Sequence, residues 1–108
     1  MIYVLDEMTV KPGMLRQYQE AFAREYVPGA EARGMRLVGS WTTPPLELEG
    51  ESNVLLVLWS LDDVSSFWKA RRAAGADPKA QAWWREAEAY QVRRSRKFLT
   101  ASPFSPMS

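Results

Sequence analysis

Residues 54–63 read VLLVLWSLDD, and this stretch limits the possible folds more than any other part of the chain. Six consecutive apolar residues predict a strand that ends at Trp59. The serine and acids that follow predict a helix start, with Ser60 as N-cap and Asp63 at the third helical position. Alternation would place Val54, Leu56 and Leu58 on one side of the strand and Leu55, Val57 and Trp59 on the other. Because both sides are apolar, the pattern predicts a central strand of a sheet.

The segments around this strand predict the element order β-α-β-β-α-(α)-β. The other strands are predicted at 2–10, 35–43 and 91–100. The first helix is predicted to follow Met14, and Pro28 is expected to end or kink it. Gly34 is expected to cap a last helical turn at 30–33. A second helix is predicted to end at Gly75, and a third to start at Asp77. The order predicts an α+β, ferredoxin-like βαββαβ fold with a four-stranded antiparallel sheet and helices on one face.

The chain length of 108 residues predicts a single domain, with residues 1–101 folded and residues 102–108 forming an extended C-terminal tail. Helices on one face would leave the second apolar side of strand 54–59 in water. At roughly 25 cal/mol per Å² this surface favours association. We therefore expect a homodimer in which two sheets face each other as a dimeric α/β barrel, with the enclosed space as the ligand site.

The composition excludes several kinds of chemistry. There is no cysteine and no histidine, which removes disulfides, thiol nucleophiles, the commonest general base and the usual metal and haem ligands. We therefore expect no cofactor and no metal. The balance of 14 Lys and Arg against 13 Asp and Glu gives no electrostatic case for nucleic acid or a membrane surface. Without a leader-like N-terminus or an apolar run of roughly 20 residues, the protein is expected to be cytoplasmic.

Charged residues of the first and last strands are the candidates for catalysis. Asp6 and Glu7 are neighbours, so one should point to the helices and the other to the barrel, and the sequence does not decide which. An acid in an apolar barrel could act as a general base or acid. The commoner alternative is an ion pair with Arg94 or Arg96 across neighbouring strands. These two arginines share a face and could hold a carboxylate, enolate or phenolate, or simply discourage edge pairing.

Aromatic residues are the candidates for ligand contact, because five Trp, four Tyr and four Phe are many for a chain of this size. The ligand-binding candidates are Tyr3, Trp41, Trp59, Trp68 and Trp84. Packing in the core is the commoner role for any one aromatic, but the set predicts that at least one lines a cavity. Trp59 is a cavity wall if its side of the strand faces the partner, and a core residue otherwise.

Several short motifs resemble one family. The segments MIYVLDEMTVKPGMLRQYQEAF, GMRLVGSW, VLWSLDD and ARRAAGADPKAQAWW together resemble NIPSNAP-like members of the dimeric α/β-barrel superfamily, which includes antibiotic-biosynthesis monooxygenases and small polyketide cyclases. The likeness covers about residues 2–100. It implies the fold and the dimer but carries no general reaction, and the relatives that bind haem rely on a histidine that this chain lacks.

Two functional hypotheses follow. The first is a homodimer of secondary or degradative metabolism that binds a small apolar or aromatic compound, such as a polyketide-like compound, in the barrel. If it is an enzyme, we expect a cofactor-independent cyclase, isomerase or monooxygenase-type reaction. The alternative is a non-catalytic ligand-binding or protein-interaction module.

Overall fold

The computed structural model describes residues 1–107 and contains four strands and three helical regions. The strands are β1 (Ile2–Val10), β2 (Arg36–Thr43), β3 (Asn53–Leu61) and β4 (Gln91–Leu99). The first helical region consists of α1 (Leu15–Ala21), a π-helical turn (Phe22–Tyr26) and α2 (Val27–Ala32). The later helices are α3 (Val64–Gly75) and α4 (Pro78–Ala87).

The strands form one antiparallel sheet in the order β2-β3-β1-β4, which confirms the predicted ferredoxin-like α+β fold. β1 and β3 lie at the centre, as their apolar sequences predict. The helices pack on one face, and the core between helices and sheet is built from apolar residues of β1, β3 and all three helical regions. We call the other face, which no helix covers, the open face.

The two sides of β3 differ in burial and so settle the orientation of Trp59. Leu55, Val57 and Trp59 are buried in the core with the helices, whereas Val54, Leu56 and Leu58 are only half-buried on the open face. Trp59 is 0% exposed and packs against Phe22 and Tyr26 of the π-helical turn. It is therefore a core residue within this chain.

The start of α3 differs from its prediction. β3 continues to Leu61, and Ser60 pairs opposite Tyr3 in the sheet, so Ser60 cannot cap the helix. The ladder to β1 and the burial of Leu61 favour the longer strand. Asp63 is the N-cap instead, and its carboxylate accepts a hydrogen bond of 2.7 Å from the Ser66 N–H.

The caps at Asp77 and Gly34 agree with their predictions. The Asp77 carboxylate accepts a 2.9 Å hydrogen bond from the Lys79 N–H, and Pro78 occupies the first position of α4. After α2, Gly34 has φ +98°, the left-handed conformation that glycine adopts readily. Pro28 does not end the first helical region, because the π-helical turn places it at the start of α2, where a missing N–H is tolerated.

The C-terminal segment after β4 has no helix or strand up to residue 107. β4 ends at Leu99, one residue before the predicted end. Residues 100–107 lie beside the open face, where several of them border a cavity together with Tyr3, Leu58 and Leu99. The last residue of the predicted tail, position 108, lies outside the described residues.

Candidate functional site

The strand alternation distributes the predicted site residues over both faces of the sheet. The residues on the helix side are Asp6, Trp59, Trp68, Trp84, Arg94 and Arg96. Tyr3, Glu7 and Trp41 lie on the open face. Within one copy of the chain, the nine predicted residues therefore belong to two separate places.

Asp6 is the buried acid of the helix side, and it is 2% exposed. It lies opposite Arg96 in the β1–β4 register, and the guanidinium binds both carboxylate oxygens: Nε to Oδ1 at 2.6 Å and Nη2 to Oδ2 at 2.9 Å. Oδ2 also accepts a 3.0 Å hydrogen bond from the Trp59 indole N–H. Asp6 thus forms the cross-strand ion pair that the sequence offered as the alternative to a free acid.

Arg96 is held in a fixed position by this pairing. Its Nη2 also donates to the Tyr26 hydroxyl at 3.3 Å. Burial alone would lower the pKa of the Arg96 guanidinium, but its hydrogen bonds and the charge of Asp6 outweigh burial and raise that pKa above its usual value. The Arg96 side chain is 31% exposed. Its guanidinium is therefore permanently charged, held in place by its hydrogen bonds and still partly accessible to solvent.

A groove of about 710 Å³ lies where α3 and α4 meet β4, and we call it the helix-side groove. Its aromatic walls are formed by Tyr26, Phe67, Trp68, Trp84 and Phe98, and its charged walls by Arg71, Arg94 and Arg96. A volume of this size holds a small molecule with two or three rings. The groove combines four of the predicted site residues: Arg94, Arg96, Trp68 and Trp84.

Two further arginines of the groove lie over aromatic rings. The Arg94 guanidinium carbon is 3.7 Å from the centre of the Trp84 ring, and that of Arg71 is 5.6 Å from the Trp68 ring. Among residues 1–107, no carboxylate lies within ion-pair distance of Arg71 or Arg94. The groove is therefore aromatic and positively charged.

Phe98 and Arg71 are among the groove residues that the sequence analysis missed, although both could have been found. Phe98 alternates with Arg94 and Arg96 along β4 and so shares their face. Arg71 follows Trp68 by three residues and Phe67 by four, which places the three side chains on one side of α3.

The open-face candidates have different surroundings. Glu7 accepts hydrogen bonds from Lys97 Nζ at 3.1 Å and Ser95 Oγ at 3.5 Å. Trp41 is 54% exposed, and its ring lies over Gly39, where a Cβ atom would come within 2.6 Å of it. Tyr3 borders a cavity of about 420 Å³ beside the C-terminal segment. These three residues could share a site only if a second copy enclosed the open face.

Within residues 1–107, neither a group of metal-binding side chains nor a membrane-spanning helix is found. Residues 1–107 contain no group of three or more acidic side chains placed to bind a metal ion. No helix within the same range is long and apolar enough to cross a membrane.

The sheet order, the helices on one face and the groove between them define a two-layer ferredoxin-like α+β fold with a groove of small-molecule size. The model of the NIPSNAP family matches residues 3–106. Since this match spans nearly the whole chain, the protein belongs to the NIPSNAP family, as its sequence motifs indicated. No curated protein matches the chain.

Solved structures with the same fold include several NIPSNAP proteins. An uncharacterized NIPSNAP domain protein from Burkholderia xenovorans has 22% identity and a TM-score of 0.79, with 98% of this chain and 99% of that chain covered. Atu4242 from Agrobacterium tumefaciens has 17% identity and a TM-score of 0.80 over 100% of both chains. A candidate antibiotic biosynthesis monooxygenase from Nitrosomonas europaea has 12% identity and a TM-score of 0.58, covering 99% and 94%. At these identities the likeness shows the fold alone.

Proposed function

We propose that this protein binds a planar aromatic anion in the helix-side groove. One observation carries the proposal: three guanidiniums and several aromatic rings face the same groove, and two of those guanidiniums have no carboxylate partner among residues 1–107. Charges beside low-dielectric walls attract an opposite charge more strongly than charges in open water do. A flat ring system with a negative charge would stack on the aromatic rings and pair with the arginines.

The walls favour flat ligands over flexible aliphatic ones. Trp68 lies on α3 at one side of the groove, 46% exposed, and Trp84 lies on α4 with one ring face under Arg94. Phe98 extends this apolar surface from β4 and stacks on Phe67 at 4.4 Å between ring centres. Aromatic ligands gain offset stacking or edge contacts with such rings in addition to the burial of apolar area.

The same residues support a catalytic version of this proposal. Arg94 and Arg96 would stabilise negative charge that develops on an enolate or phenolate oxygen, as in a cofactor-independent cyclase, isomerase or monooxygenase-type reaction. Asp6 would act as a positioning residue through Arg96, since both of its oxygens already accept hydrogen bonds. Without turnover, the groove would serve a non-catalytic ligand-binding module.

A homodimer is the second part of the proposal. The half-buried Val54, Leu56 and Leu58 of β3 form an apolar row on the open face, where no helix covers them. Trp41 extends this surface on β2, whereas Tyr3 of β1 is already buried beside the C-terminal segment. A second copy, with its own open face, would bury these rows and place Glu7 and Trp41 inside the barrel.

Calorimetric titration with 2-naphthoate tests the groove directly. We expect saturable binding that weakens severalfold in R94Q, because a nearby positive charge is lost. R93Q is the matched control, since Arg93 lies on the opposite face of the same strand and does not line the groove. W84L should weaken 2-naphthoate and its neutral analogue 2-naphthamide alike, because it removes a wall of the groove.

Two results would contradict the groove proposal. The first is the absence of saturable binding of either compound to the unsubstituted protein. The second is an equal effect of R93Q and R94Q, which would show that net charge alone matters. Conversion of a bound aromatic keto compound, abolished in R96Q with the fold retained, would favour the enzyme over the binding module.

A further inference from the structure

Arg33 is a buried guanidinium that the proposed function does not use. Its side chain is 8% exposed, and Nη1 pairs with the Asp77 Oδ2 at 3.3 Å. Its Nε and Nη2 are also buried, yet neither finds a hydrogen-bond acceptor among residues 1–107. Buried N–H groups of a charged side chain almost always have a partner. Two unpartnered donors on one buried guanidinium indicate that an acceptor from outside the chain belongs there.

A small cavity of about 40 Å³ lies beside the Arg33 side chain, and we call it the inner cavity. Four of the residues that line it have polar or charged side chains: Arg33, Arg71, Arg96 and Tyr26. Tyr26, Arg71 and Arg96 also line the helix-side groove, so the two spaces are neighbours across these side chains. No acidic side chain lines the inner cavity.

The charges around the inner cavity do not balance. Asp6 compensates Arg96 and Asp77 compensates Arg33, but no carboxylate within residues 1–107 compensates Arg71. The three guanidiniums and two carboxylates leave one positive charge. The volume would hold about three waters at the usual minimum of 10–15 Å³ for each. Charge and volume together fit a single carboxylate group better than a phosphate.

We propose that the inner cavity binds the carboxylate of the ligand, with Arg33 as the residue that recognises it. This inference rests on the proposed function and narrows the ligand class to planar aromatic carboxylic acids. The ring system would lie in the helix-side groove, and the carboxylate would accept hydrogen bonds from the free donors of Arg33 and from Arg71. A neutral amide in the same position would lose the charge-assisted part of these bonds.

The binding test compares 2-naphthoate with 2-naphthamide on the unsubstituted protein and on R33M. We expect the unsubstituted protein to prefer the carboxylate by about tenfold or more. In R33M this preference should fall severalfold, with the remainder supplied by Arg71 and Arg94, and 2-naphthoate should lose more affinity than 2-naphthamide. D77N is the structural control, because it breaks the Arg33 ion pair but keeps a capping oxygen for α4. D77N should retain the preference.

A second measurement separates this inference from the groove proposal. Sodium formate supplies the carboxylate without the ring, and the Nε–H signal of Arg33 in a ¹⁵N NMR spectrum, assigned by its loss in R33M, reports its binding. We expect a saturable shift with formate and none with sodium chloride at equal ionic strength. A formate shift without naphthoate binding would support the inner cavity and reject the groove.

An unchanged Arg33 signal with formate, or a carboxylate preference in R33M equal to that of the unsubstituted protein, would overturn the inference. A loss of preference in D77N as large as in R33M would also overturn it, because Arg33 would then act only by holding α4 in place. If 2-naphthoate binding still depends on Arg94 and Trp84 in those cases, the groove proposal survives without the inner cavity.

Discussion

Tyr18 places a hydroxyl group inside the apolar core of this protein. The residue is 0% exposed, with the rings of Phe22, Trp83 and Tyr90 around it. Its hydroxyl donates a 2.6 Å hydrogen bond to the Gln91 Oε1 of β4. Burial raises the pKa of this hydroxyl, the charge of Asp6 adds to the rise, and Arg94 opposes it.

This raised pKa predicts a loss of stability at high pH. Above about pH 10 the unfolded chain releases the tyrosine proton while the folded protein keeps it. The free energy of unfolding should then fall by up to about 1.4 kcal/mol per pH unit from this group alone. Y18F should be less stable at pH 7 by about 0.5–1.5 kcal/mol, the usual contribution of one hydrogen bond, but should lose this part of the alkaline decline.

Denaturant unfolding at several pH values between about 7 and 11 measures both effects. Y90F serves as the control, since it changes a ring that contacts Tyr18 and leaves the Tyr18 hydroxyl in place. An alkaline slope in Y18F equal to that of the unsubstituted protein would show that Tyr18 does not cause the decline.

At the scale of the elements, α3 depends on one exposed side chain for its start. The Asp63 carboxylate accepts a hydrogen bond from the Ser66 N–H, and this bond lowers the pKa of the carboxyl. Because the folded-state pKa is lowered, the stabilisation is present above the ordinary pKa of about 4 and is lost as the pH falls through the folded-state value.

We therefore expect D63A to lower the midpoint of guanidinium unfolding at pH 7, and D63N to lower it less, because asparagine also caps helices well. The difference between D63A and the unsubstituted protein should shrink at about pH 2. D62A is the control: the side chain of Asp62 is 74% exposed and pairs with the exposed Arg36. Equal midpoints for D62A and D63A would contradict a capping role.

The elements were predictable because their signals are local. The apolar run of β3, Asp77 before Pro78, and Gly34 after α2 each determine conformation through neighbours in the sequence. Ser60 was misplaced because the end of β3 depends on its pairing with β1, which is distant in sequence.

The site was predictable only in part, because its geometry depends on tertiary structure. Alternation placed Arg94 and Arg96 on one face of β4, but only the packing of the helices decides that this face is the covered one. The role of Arg33 could not be recognised from its sequence neighbours, because the side chain meets Tyr26 and Asp77 only in the folded protein.

At the scale of the whole molecule, the proposed homodimer makes the open face the contact between two copies. Leu56 lies opposite Glu7 on β1 and Trp41 on β2, near the middle of this face. A lysine there would be solvated in a single copy but desolvated between two sheets. L56K should therefore shift the protein from dimer to monomer in sedimentation experiments while the fold is retained.

V64K is the matched control for L56K. Val64 is an aliphatic residue like Leu56 and is 48% exposed, but it lies at the start of α3. V64K should leave the dimer intact. A monomeric unsubstituted protein at all concentrations, or equal effects of the two lysines, would contradict association through the open face.

The π-helical turn at Phe22–Tyr26 is the place where the first helical region can lose one residue without a change in its packing. A π turn accommodates one more residue than an α-helical turn, so the helices on either side keep their relative orientation. A related chain that lacks one of the exposed residues Ala23, Arg24 or Glu25 could close the turn as ordinary α-helix. Its Tyr26, Ala30 and Arg33 equivalents would still face the core. A deletion within α2 would instead rotate Arg33 by about 100°, the angle of one residue, away from the inner cavity.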